Sequence, residues 1–333
     1  AALVRADAAP GGGVWGQRGR FDPSEYVQRA TVDALATRLD EPEARAVLRA
    51  LVDDPNAGPW ARGAAGIVLA RAARDGALPA AERDTDRARL ATAAGSVSGG
   101  RGGALLLAAA IAGDTPARTR LAELLSAGNL PLELWFFRAM GESGVDTLAA
   151  PLAQALERVE PEIQLAVAAA LLDLGAPAGE RALTAALTAD EERALEALEY
   201  LVDARGPAAD GLLKAALAGP ALVHDGAELA LFGRGQGEVR DVVRMLGNED
   251  AERRAWAAEA AGRRLRLEPG IDGGDRLRAT LRDALPDADP TLQLALIEAL
   301  AGSPVPEDRA ALTTLLEDEA ARVRVAAAAA LAP

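Results

Sequence analysis

The stretch LTTLLEDEAARVRVAAAAAL, running from Leu312 to Leu331, decides the fold. Its opening leucines close one apolar segment, and Glu317, Asp318 and Glu319 make a charged break. Val323, Ala327, Ala330 and Leu331 then return at the spacing of one helix face. Two short helices joined by a tight acidic turn follow from that pattern. The second is built almost entirely of alanine, the best helix former and one that lets a neighbouring helix come close. A hairpin of this size cannot bury its apolar face alone, so its neighbours in sequence must supply the other side.

Working outward, the same unit recurs. Apolar helical segments end at Gly76, Gly113, Gly141, Gly175, Gly206, Gly233, Gly262, Gly302 and Pro333, and these eight intervals average about 32 residues, the period of a helical-hairpin array. The stretches Ala61 to Leu69 and Arg253 to Ala261 follow the second-helix pattern, and Ile163 to Leu171 and Leu292 to Leu300 follow it more loosely. Residues 42–333 therefore read as about nine hairpins. Residues 24–41 read as a capping helix, with start signals in Asp22, Pro23, Ser24 and Glu25. Residues 1–23 read as a flexible Gly/Arg-rich lead-in.

The unit Leu312 to Leu331, with Asp318 six residues before Arg324, resembles a HEAT repeat of the short bacterial type. The resemblance implies an all-α, right-handed α-solenoid whose second helices line a concave, ligand-facing surface. It also implies a ladder of Asp and Arg between neighbouring repeats, here Asp318, Arg324, Arg62 and Arg254. Gln164, His224 and Gln293 stand in the arginine slot of three units and should interrupt that ladder.

Composition agrees with the helical reading and narrows the function. Half of the 333 residues are hydrophobic but only 3% are aromatic, which disfavours sheets. The net charge is −14. It gathers in residues 121–240, where 19 acidic side chains face 8 basic ones. Double-stranded nucleic acid is not an expected partner of such a chain, whereas a basic protein segment is. Only one basic residue, Lys214, is lysine, the coding bias of a GC-rich bacterial genome. The longest apolar run, Gly102 to Gly113, is too short to span a bilayer and reads as a buried helix. A first residue of Ala1 fits a trimmed chain or a mature form with its export signal removed, and the cytoplasm is the expected location.

Little catalytic chemistry is available. There is no cysteine and a single histidine, His224, whose position in the arginine slot makes it structural. HEAT-repeat iron hydroxylases carry several His-Glu motifs, and none occurs here. Gly99 to Gly103 lacks the Lys-Ser/Thr ending of a phosphate loop. No cofactor is expected, and the chain reads as a non-catalytic protein-binding scaffold. The alternatives are a HEAT-fold enzyme of the phycobiliprotein-lyase or DNA-glycosylase kind, and anion binding at the arginines from Arg253 to Arg266, around Trp256.

Placing second-helix residues at 100° intervals puts Ala65, Ala257 and Ala327 innermost. Outward positions include Leu134, Phe137, Leu165, Glu196, Glu199, Tyr200, Asp225 and Glu228, a strip running from apolar to acidic. Those residues are the expected partner-binding surface. Leu134, Phe137 and Leu165 have a second reading as one bulky layer of core, and their exposure separates the two.

Overall fold

The computed structural model describes residues 31–97, 102–130, 134–302 and 305–331, Asp33 excepted. The expected lead-in therefore lies outside the described residues, as does most of the capping segment, of which 31–32 and 34–36 are helical. Every regular element among the described residues is helical, and the fold is an α-solenoid of stacked hairpins. Two compact units meet between Leu183 and Thr184.

In the first unit, α1 (Pro42–Asp53) pairs with α2 (Pro59–Arg74), α3 (Ala80–Gly95) with α4 (Gly103–Ile111), and α5 (Thr115–Ser126) precedes α6 (Leu134–Gly141). A 3-10 turn, Asp146–Leu148, leads into α7 (Ala149–Leu156), which pairs with α8 (Pro161–Asp173). The helix α9 (Pro177–Leu187) contains the boundary. In the second unit come α10 (Glu191–Asp203), the pair α11 (Gly206–Ala216) and α12 (Ala221–Gly233), and the pair α13 (Val239–Leu246) and α14 (Ala251–Leu267). The pairs α15 (Gly274–Asp283) with α16 (Pro290–Ala301) and α17 (Pro306–Thr314) with α18 (Ala321–Leu331) complete it, a 3-10 turn at Leu315–Glu317 leading into α18.

Even-numbered helices pack on one another, α2 on α4, α6 on α8 and each on the next from α10 to α18, most extensively α2 on α4 and α14 on α16. Small residues permit that approach. A Cβ added at Gly63 would stand 2.1 Å from the Ala104 Cβ, and one at Gly262 would stand 2.6 Å from the Ala299 Cα. Ala65, Ala257 and Ala327 are fully buried, in agreement with the helical register. The apolar run forms α4, and all nine of its residues are buried. At one end of α4 the rings of Trp60 and Trp135 meet edge-on at 5.3 Å. At the other end Arg71 of α2 donates to the Ala139 carbonyl of α6 and pairs with Glu142 at 2.6 Å. Contacts between α2 and α6 residues thus bracket the enclosed helix.

The expected arginine ladder takes a different form. Arg62 Nε donates to the Val52 carbonyl at 3.0 Å, Arg254 to the Asn248 and Glu249 carbonyls at 2.8 and 3.0 Å, and Arg324 to the Asp318 and Glu319 carbonyls at 2.8 and 2.9 Å. Each is the fourth residue of its even-numbered helix and reaches back across its own turn. The last carbonyls of a helix have no partner inside it and carry the negative end of its dipole, so a cationic N–H donor is well placed there. Gln164 bonds Val159 at 3.5 Å, His224 Nδ1 bonds Leu217 at 2.7 Å and Gln293 bonds Leu285 at 3.4 Å, all at the same slot. These three are substitutes and not breaks, because the slot requires an N–H and not a charge. Asp318 uses its carboxylate on the Ala320 amide of its own turn.

The most deeply buried ion pairs between neighbouring hairpins lie instead on the odd-numbered helices. Arg45 and Arg49 of α1 hold Glu82 of α3, and Arg49 also holds the buried Asp86 at 2.7 Å. Those two guanidinium groups, Arg45 first, hold the Glu82 carboxyl below its ordinary range. Arg278 and Arg282 of α15 clasp Asp308 of α17, which is fully buried and also receives the Val305 amide at its own helix start.

Three substitutions test this packing. Ala257→Leu should cost about 1–3 kcal/mol by overpacking α14, and an unchanged melting temperature would show the register to be wrong. Arg254→Ala should cost on the order of 1 kcal/mol in urea denaturation, with Arg254→Gln recovering much of the loss; equal losses would mean that charge matters and not the N–H. Asp308→Ala strands the buried Arg278 and should cost about 3–5 kcal/mol, which thermal unfolding would register.

Candidate functional site

The helices α10, α12 and α14 of the second unit carry the acidic part of the expected surface. α12 packs against both of the others. Asp190 caps α10 by accepting from the Arg193 amide at 2.8 Å, and Asp250 caps α14 in the same way through the Glu252 amide, also at 2.8 Å. These caps set where each helix begins and therefore which side chains face out.

Glu196 and Glu199 are exposed on α10, as are Glu252 and Glu259 on α14. Burial of part of the side chain, followed by repulsion from Glu196, Glu259 and Glu252, raises the Glu199 carboxyl above its ordinary range. Carboxylates of α10 and α14 therefore act on one another electrostatically. Tyr200 is half-buried beside them, and burial together with the charges of Glu199 and Glu196 pushes its phenol to about 12. It stays a neutral donor at any physiological pH.

Other expected members are partly neutralised. Asp225 pairs with Arg253 at 2.8 Å, Glu228 with Arg244 at 3.5 Å and Glu196 with Arg193 at 2.6 Å.

Two of the three apolar members of the expected surface are core residues instead. Phe137 and Leu165 are 1% and 3% exposed, and Leu134 is half-buried. Reading one helix at 100° intervals assumes a single buried face. In a stacked array a second helix is covered by its hairpin partner and by second helices beside it, so only a narrow stripe remains outside.

Four of the arginines from Arg253 to Arg266 are engaged within the protein. Arg253 holds Asp225, Arg254 spans its own turn, and Arg264 pairs with Glu268 at 2.8 Å while lying over the Phe232 ring. Arg266 donates to the Glu298 carbonyl at 3.4 Å. His224 bonds a backbone carbonyl, the structural role expected of it. Among the described residues no group of three or more His, Cys, Asp or Glu is arranged to hold a metal ion. No described helix is long and apolar enough to cross a membrane.

No family model matches the chain, and no curated protein matches it. Among solved structures, human deoxyhypusine hydroxylase in complex with glycerol is 19% identical, with 92% of this chain and 96% of that chain covered and a TM-score of 0.35. An engineered protein is 20% identical, with 85% and 94% covered and a TM-score of 0.27. Both superpositions are too loose to carry a functional argument.

The charge crowding at Glu199 has a measurable consequence. A carboxyl whose folded pKa is raised contributes stability below the ordinary carboxylate range, and that contribution is lost as pH rises through its raised value. Glu199→Gln should therefore stabilise the protein at neutral pH and not in acid. Because the side chain is exposed and screened, the gain should stay within about 0.5 kcal/mol. Melting curves at pH 7 and pH 4 would test it, and an equal effect at both would rule the repulsion out.

Proposed function

We propose that this protein is a non-catalytic scaffold of the HEAT-like class, and that α10, α12 and α14 hold a basic segment of another protein. The feature that carries the reading is the set of exposed carboxylates Glu196 and Glu199 on α10 and Glu252 and Glu259 on α14, near enough that the other three add to burial in raising the Glu199 carboxyl. Like charges held together on rigid helices raise the local potential, and a ligand of opposite charge relieves their repulsion. Tyr200 adds a half-buried aromatic ring and a hydroxyl donor at the same place, a residue type favoured in interfaces. The apolar anchors expected from the sequence are absent from this reading, since Phe137 and Leu165 belong to the core. Recognition is consequently electrostatic and salt-sensitive.

Fluorescence anisotropy with a synthetic Arg/Lys-rich amphipathic peptide, and with its Glu-substituted counterpart, tests the proposal. The basic peptide should bind and the acidic one should not. Combined Glu196→Lys and Glu199→Lys substitution should weaken binding about tenfold, and raising salt toward 1 M should erase most of the difference. Equal binding of both peptides, or an unchanged affinity in the double variant, would overturn it.

A further inference from the structure

We draw no further inference here: the strongest candidate, the outward face of the α17–α18 hairpin where Leu316 and Val325 stand exposed, is an apolar face for which nothing in the structure shows what covers it.

Discussion

Everything in this fold depends on how closely one second helix can approach the next. A hairpin of two short helices has too little interior of its own, so its stability comes from the surface it shares with its neighbours. That surface is made of Gly and Ala. Where Gly63 faces Ala104 and Gly262 faces Ala299, even a single added methyl would collide with the facing helix. Close backbone approach brings many weak dispersion contacts into play at once, and this replaces the large aromatic core that the composition lacks. The nine-residue α4 shows the limit of the arrangement, with every residue enclosed.

Close stacking leaves the ends of short helices as the next problem, because each helix terminus carries carbonyls without partners. Many short helices make many such termini. The fourth residue of several even-numbered helices answers this by reaching back to carbonyls at the end of the helix before it, as Arg62 and His224 do, or of the turn between, as Arg324 does. A backbone carbonyl asks only for an N–H at the right place, so arginine, glutamine and histidine are interchangeable there. The most buried charge pairing between hairpins is on the odd-numbered helices, Arg49 with Asp86 and Arg278 with Asp308.

The same stacking limits what the surface can offer. Each second helix is flanked on more than one side, so large apolar side chains near the stripe are drawn into the core, as Phe137 and Leu165 are. On α10 and α14 the exposed positions include Glu196, Glu199, Glu252 and Glu259. Of the acidic positions, Asp225 and Glu228 are held by Arg253 and Arg244, while Glu199 is surrounded by like charges. An acidic chain thus yields a localised site where the fold brings carboxylates of different helices near one another.

The sequence by itself determined the helical class, the hairpin period and the burial of Ala65, Ala257 and Ala327, because periodicity and residue size act locally along each helix. It also revealed the fully buried α4, whose run of apolar residues has no polar face to turn outward. Only the tertiary structure decided that Arg254 and Arg324 bond their own turns, since a guanidinium can equally meet a carboxylate or a carbonyl and distance selects between them. It alone placed Glu199 among Glu196, Glu252 and Glu259 and withdrew Phe137 from the surface. Both outcomes depend on which helices flank a given helix, and a pattern read along one helix contains no information about its neighbours.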